Sequence, residues 1–341
     1  MSIPVVNSTV FQDNPYQRLL YSALEGRYNC IRGGVEDAFA LLADQEGPAL
    51  LHLHWEEHAL RIAPSAAEAR LLVRHIAGRL AAFRASGGRI LWTLHNAAPH
   101  EGEHLAEFLW LRRSIARFAH LILVHSTDAV TLLEEQVGPL AEKLFLLPHP
   151  SYLGVYEPEG TSLGVAGRSL LCFGKLRGYK RLDRVLDMLT EEFLATWDAR
   201  LRISGEGDAG AVIPRARVDW DLRRVPDAEL GALFRGARAV VLDYEQPLSS
   251  GVALLALSFG RPLLAPRRPG LLELLPREAH GFLFEPGSAE DARRAAGQLL
   301  GMTETAHAAL AEACLARAAE VHPRRISAIL GDVYDVARAM P

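Results

Sequence analysis

Two doubly wound α/β domains in tandem are the fold class that this sequence predicts, and three observations carry it. Short apolar runs alternate with longer segments of helical periodicity in the order β-α-β-α-β, the pattern of a parallel sheet covered by helices. The rhythm lapses between Tyr152 and Arg168, in YLGVYEPEGTSLGVAGR, where glycines recur around a proline, and then starts again. The chain of 341 residues also exceeds what one hydrophobic core usually serves.

In chain order, MSIPVVNSTVFQDNPYQ has neither the basic start nor the apolar core of a signal peptide, so export is not expected. ALLHLHW (49–55) reads as a strand. Ser65 and Glu68 then form a capping box for a long helix that stops at Gly87-Gly88. RILWTLHN is the next strand, followed by a helix from about Glu103 to Phe118, the strand LILVHS, a helix from about Thr127, and LFLLPHP. These make a first Rossmann-like domain, 1–155. After the lapse, SLLCFG, a helix from Arg181, RLRISGEG, VDWDLRRV, the helix DAELGALFRGA and the strand RAVVLDY open a second such domain, 165–320. VALLALSFG, RPLLAP, GFLFEPG and a helix capped by Ser288 and Asp291 complete it. The stretch 321–341, with RRISAILGDVYDVARA, reads as a helix expected to pack back on the first domain.

Composition narrows the function classes. A formal net charge of −4 gives no general reason to expect nucleic acid. Cys30, Cys172 and Cys314 show neither metal-ligand spacing nor a disulfide framework, which suits a reducing cytoplasm. No apolar run is long enough to span a bilayer. The helix EHLAEFLWLRRSIARF is apolar over too broad an arc for a one-sided helix; deep packing explains it best, with peripheral membrane contact as the second reading.

Ligands of open α/β sheets sit beyond the carboxyl ends of strands, and that rule selects three loops of the second domain. They are Gly174 to Lys180 in FGKLRGYK, Ser204 to Gly207 in SGEG, and Ser249 to Val252 after the strand RAVVLDY. Each alone reads as a turn or a set of solvated cations. Together they combine glycines that admit close backbone approach, the cations Lys175, Arg177 and Lys180, and a serine-rich helix start, a receptor suited to a diphosphate. Gly251 is expected to clear room for the phosphate. The first domain offers histidines at its strand ends: His52, His54, His95, His100, His125 and His149, with Glu101 beside His100. Buried hydrogen bonding or helix capping explains most of them better than catalysis does. No pair has zinc-ligand spacing on a helix, and DWD (219–221) sits in an alternating strand, so neither is read as a metal site.

FGKLRGYKRLDRVLDML, ISGEG, RVPDAELGALFRGARAVVLDY and ALSFGRPLLAP resemble the conserved blocks of the GT-B glycosyltransferases, in particular the large group-1 family that uses nucleotide sugars. The similarity extends over nearly the whole chain. WTLHNAAPHE and NPYQRLLYSAL are similar to a subgroup of bacterial exopolysaccharide transferases that includes the β-mannosyltransferases of xanthan-type assembly. The resemblance implies a GT-B fold with an interdomain cleft, the donor in the second domain and the acceptor in the first. It implies transfer of a hexose from a nucleotide diphosphate sugar, GDP-mannose ahead of UDP-sugars, to a glycan or polyprenyl-diphosphate-linked oligosaccharide, in the cytoplasm or at the inner face of the membrane. No cofactor and no metal are implied.

Carried over by position, the resemblance assigns donor binding to Gly174, Gly205, Glu206, Gly207, Tyr244, Glu245, Ser249, Ser250, Gly251 and Val252. Lys175 stands at the family's arginine and Lys180 at its lysine, the pair that steadies the leaving diphosphate, with Arg177 between them. His95 stands where the family often has a histidine near the sugar; His95 and Glu101 are the candidates for a base. The family's two glutamates fall on Pro247 and Leu255, so both carboxylates are missing and Glu245 is two residues off. That loss motivates a rival reading as a non-catalytic sugar-nucleotide binder. An NAD-dependent oxidoreductase is the other rival, weakened because no Gly-x-Gly-x-x-Gly follows the first strand of either domain.

Overall fold

The computed structural model describes residues 2–8, 14–44, 47–99, 104–140, 142–207, 214–243 and 250–341, with Tyr179 described by its backbone alone. The chain forms two compact units, Met1–Pro150 together with Pro323–Pro341, and Ser151–His322.

The strands of the first unit are β1 (Ile3–Asn7), β2 (Tyr28–Arg32), β3 (Leu50–His54), β4 (Arg89–Thr93), β5 (Leu121–Val124) and β6 (Leu144–Leu146). They pair in parallel in the order β2-β1-β3-β4-β5-β6. The central strands are almost wholly buried, whereas the edge strand β2 is half exposed, as helices on both faces require. β1 and β2 had no signature in the sequence: IPVVN contains a proline, and YNCIR mixes polar and apolar residues without alternation. The strand order reverses between β1 and β3, which marks the crevice at their carboxyl ends.

Ser65 caps the helix Ala66–Ala85 as expected, accepting from the Glu68 amide while its hydroxyl donates to the Glu68 carboxylate at 2.8 Å. The helix Leu105–Phe118 owes its broad apolar arc to a charge that points inward. Arg112, fully buried, donates from Nε to Glu56 Oε1 at 3.0 Å and from its terminal nitrogens to the carbonyls of Asn96 and Ala97 and to Gln136 Oε1. Trp92 Nε1 donates to the other Glu56 oxygen at 3.0 Å. Leu105 and Trp110 stay exposed, with the Arg74 guanidinium 5.9 Å above the Trp110 ring. The helix Pro323–Ala339 packs on the helix Tyr16–Leu20 within this unit; Ser327 Oγ accepts from the Ala23 amide, and Tyr334 is buried.

The second unit holds β7 (Ser169–Phe173), β8 (Arg200–Ser204), β9 (Val218–Asp221), β10 (Ala237–Val241), β11 (Leu263–Pro266) and β12 (Leu283–Phe284), parallel in the order β12-β11-β10-β7-β8-β9. Its reversal point lies between β7 and β10. The helix Gly251–Ser258 is buried at every residue from Ala253 on, so VALLALS is a core element. Residues 152–168, expected as the linker, are part of this unit: the Tyr152 amide donates to Ser258 Oγ at 2.9 Å, Arg261 donates to the Leu163 carbonyl at 2.9 Å, and the Gly167 amide donates to the Gly236 carbonyl at 3.1 Å. Among the described residues no helix is long and apolar enough to cross a membrane.

Because a buried charge left without its partner is far costlier than a missing pair, Arg112→Ala is expected to destabilise the first unit by about 3–5 kcal/mol. Arg112→Met with Glu56→Gln should recover a large part of the loss. Urea unfolding followed by the fluorescence of Trp92 checks both; equal losses for the single and double variants would deny the pair its role.

Candidate functional site

In the second unit the loops after β7 and β8 run side by side as a backbone ladder. The Gly174 amide donates to the Ser204 carbonyl at 3.0 Å and the Leu176 amide to the Glu206 carbonyl at 2.8 Å, while on the other side the Gly205 amide donates to the Asp221 carbonyl at the end of β9 at 3.0 Å. Such closeness requires glycine. A Cβ on Gly205 would stand 2.2 Å from the Gly174 carbonyl oxygen and one on Gly207 2.3 Å from that of Leu176, and both residues have positive φ. The SGEG stretch is therefore glycine-rich first because two backbones touch there.

Lys180 reaches back under this ladder. It is 5% exposed, its Nζ donates to the Phe173 carbonyl at 3.1 Å, and burial first, then the like charge of Arg177, brings its ammonium down to about 8. Arg177 is near enough for its charge to be felt by this ammonium. Lys175 points the other way, its side chain 58% exposed and 3.8 Å from Glu206. The helix Gly251–Ser258 begins at the same edge, since Val252 lies beside Gly174. Ser250 caps it, accepting from the Ala253 amide at 3.1 Å. The hydroxyl of Ser250 is therefore a cap before it is a donor to any ligand. A Cβ on Gly251 would stand 2.8 Å from the Tyr152 hydroxyl, so the packing of Tyr152 by itself favours glycine there. Tyr244, Glu245 and Ser249 lie outside the described residues, as does Glu101 in the first unit.

Sequence reasoning missed two neighbours of this edge. Asp243, 2% exposed at the end of β10, is held by both forks of Arg184 at 2.7 Å. Tyr152 comes from the supposed linker. A charged residue closing an apolar strand was the available signal for the first; nothing local pointed to the second. The carboxylates of DWD are engaged, Asp219 by Arg200 and Asp221 by Arg202 and Arg223. Among the described residues no three potential ligands converge on a metal position.

In the first unit the structure gathers His52, His54, His95, His125 and His149 around Tyr16 and Trp55 at the carboxyl edge of the sheet. Tyr21 Oη lies 2.8 Å from His54 Nε2, and His54 Nδ1 lies 2.9 Å from His95 Nε2. His52 sits between Tyr334 and Thr93, each at 2.8 Å. His125 donates to the Leu147 carbonyl at 2.7 Å and meets Tyr16 Oη at 3.1 Å. His95 stacks on Trp55 with centroids 4.2 Å apart. Burial pushes His52 and His149 down to about 3 and His125 to about 4, and holds His54 and His95 well below the usual imidazole range. All five are neutral hydrogen-bonding rings at pH 7. Next to them, the pair Glu56-Glu57 follows β3, and the sequence reading had passed over it.

Two parallel six-stranded sheets, each with its own reversal point, make the fold that of the GT-B glycosyltransferases. Residues 167–302 match the family described as glycosyl transferases group 1, so the second unit carries a group 1 domain. The chain is 29% identical over 307 residues to the GDP-mannose:glycolipid 4-beta-D-mannosyltransferase of Xanthomonas campestris pv. campestris, covering 84% of this chain and 79% of that protein. Solved structures that share the fold include the following two. Anabaena HepE, solved with UDP and glucose, superposes with a TM-score of 0.66 at 15% identity over 98% of this chain and 100% of its own. The alpha,alpha-trehalose-phosphate synthase (UDP-forming) of Burkholderia vietnamiensis gives 0.67 at 11% identity over 100% of both chains.

The contact at Gly251 has a measurable signature. Gly251→Ala is expected to lower the thermal midpoint, and adding Tyr152→Phe, which removes the hydroxyl at 2.8 Å, should restore most of the loss. No recovery in the double variant would place the obstruction elsewhere.

Proposed function

We propose that this glycosyltransferase moves mannose from GDP-mannose to a hydroxyl of a glycolipid. The observation that carries the reading is the meeting of buried Lys180 and a Ser250-capped helix start beside Gly174, at the reversal point of the second unit. The donor and the acceptor class come from the likeness to the Xanthomonas enzyme. In this reading Gly174, Gly205, Glu206 and Gly207 shape the floor of the donor site, Lys175 guards its rim, and Gly251 and Val252 open the helix toward the diphosphate, with Tyr244, Glu245 and Ser249 completing it. As the bond from the sugar to the diphosphate lengthens, negative charge grows on the departing phosphate, and preorganised cations stabilise it there. With this charge supplied by side chains and the DWD carboxylates paired to arginines, the transfer is metal-independent.

GDP-mannose carries its sugar in the α configuration, so a β-mannoside forms by single displacement with inversion. The acceptor hydroxyl then needs a base. For a glycolipid acceptor, the first unit adds peripheral membrane contact through the exposed Leu105 and Trp110, with Arg74 beside them for anionic headgroups.

Wild-type protein should release GDP from GDP-mannose in the presence of a glycolipid acceptor and keep doing so in excess EDTA. Lys180→Met, which preserves the buried stem, should lower kcat by about a hundredfold or more with little change in thermal midpoint. Turnover with UDP-sugars alone would move the donor assignment, and an unchanged kcat in Lys180→Met would remove Lys180 from the chemistry.

For the membrane contact, Trp110→Ala together with Leu105→Ala should reduce co-sedimentation with vesicles containing anionic lipid several-fold. Equal binding by the double variant and the wild type would rule out this face.

A further inference from the structure

We propose that the histidine row of the first unit is an acid-sensitive latch: mild acid opens this unit and releases its last helix, Pro323–Ala339, while the second unit stays closed. His52, His54 and His95 are 0%, 2% and 8% exposed, and their rings stand against one another, with centroids 4.1 Å apart for His52 and His54 and 5.2 Å apart for His54 and His95. His125 and His149 close the row at its rim, 5.4 Å apart. The central contact holds only while it is uncharged. His54 Nδ1 and His95 Nε2, 2.9 Å apart, share a single proton, and a second would set two N–H groups against each other. His52 ties the row to the last helix through the Tyr334 hydroxyl at 2.8 Å.

No group facing the row offsets a positive charge. Among the described residues, the titratable groups around it are Tyr16 and Tyr21 at the helix Tyr16–Leu20, Tyr334 on the last helix, and Cys30 of β2 behind the tyrosines. Burial holds the phenols of Tyr21 and Tyr334 well above their ordinary range and lifts the Cys30 thiol to about 12, so these three stay neutral. The acids on the turn after β3 are engaged elsewhere: Glu56 holds Arg112 and Trp92 Nε1, and Glu57 accepts from Asn96. Protonating one inner imidazole therefore buries an uncompensated charge, and protonating two puts like charges in contact.

An imidazole of the unfolded chain takes its proton near 6.5, whereas burial in the fold brings His52 down to about 3 and keeps His54 and His95 well below the usual range. A group whose proton affinity folding lowers contributes its stability fully above the unfolded value and loses it as pH falls towards the folded one, so the window opens downwards from about 6.5. Each inner ring then multiplies the opening equilibrium by up to about tenfold per pH unit. Glu57 works the other way by one proton, since burial first, and Glu56 second, raise its carboxyl to about 7; His120, brought down to about 4 chiefly by burial, adds to the histidines. Three inner rings outweigh one carboxyl. Among its described residues the second unit buries one imidazole, His307, 2.8 Å from the Arg238 carbonyl, with no second ring against it.

The test is amide hydrogen exchange on the full chain at pH 7.5 and pH 5, corrected for the intrinsic rate at each pH and read peptide by peptide. Opening of the peptides that hold β3, β4 and the last helix is expected to rise by about a hundredfold or more, against less than about tenfold for those of β7 and β10, and to reverse on return to pH 7.5. His54→Gln, whose amide can still bond to Tyr21 and His95, should take about tenfold off that rise. Tyr334→Phe keeps every imidazole, so it should loosen the last helix at pH 7.5 and preserve the pH dependence. Equal protection of the first unit at both pH values, a parallel rise in the two units, the full wild-type rise in His54→Gln, or loss of the pH dependence in Tyr334→Phe overturns the latch.

Discussion

The contact on which the donor-side structure depends is between two backbones, where the Cα of Gly205 comes close to the carbonyl of Gly174. A methyl group there would force the loops after β7 and β8 apart and break the ladder that joins Leu176 to Glu206. With the loops held together, Lys180 folds beneath them and donates to the Phe173 carbonyl, which takes its ammonium out of water. The cationic character of this edge is therefore a product of backbone packing. The side chains supply the charge, and the glycines decide where it points.

The first unit solves the opposite problem. Its sheet edge is lined by five imidazoles, and burial keeps each of them uncharged by raising the cost of the protonated form. Hydrogen bonds with tyrosine and threonine hydroxyls, and from a ring nitrogen to a backbone carbonyl, satisfy these rings. Deeper in the unit, Glu56 and Arg112 form a buried ion pair. Glu57 stands out against this background because it is the carboxyl beside that pair whose second oxygen is left over.

Much of the fold was legible because its strands and caps obey local rules. LHLHW, RILWT and LILV are apolar runs of strand length, and Ser65, Ser288 and the glycines 87–88 punctuate helices by their own chemistry. β1 and β2 escaped because a proline and an unpatterned mix of residues hide short strands that only their neighbours stabilise. The donor loops could be found from strand ends and glycine spacing, but the reason for Gly251 could not, since Tyr152 is ninety-nine residues away in the chain and within 2.8 Å of where a Cβ would stand. Arg112 and Glu57 were hidden for the same reason: on a one-dimensional string a buried arginine and an exposed one look alike. Burial is a property of the fold, and with it comes the shift that separates Glu57 from an ordinary surface glutamate.

The division of the chain into a discontinuous first unit and a continuous second one sets an order of events during synthesis. All of residues 151–322 are available before Pro323 is made, so the second unit can close while the first still lacks its last helix. Until that helix arrives, His52 has no Tyr334 to bond with, Ser327 is absent from the Ala23 amide, and the face of Tyr16–Leu20 that it covers is open. The first unit is finished after the second, and its histidine-lined edge settles only once Ser327 and Tyr334 have been made.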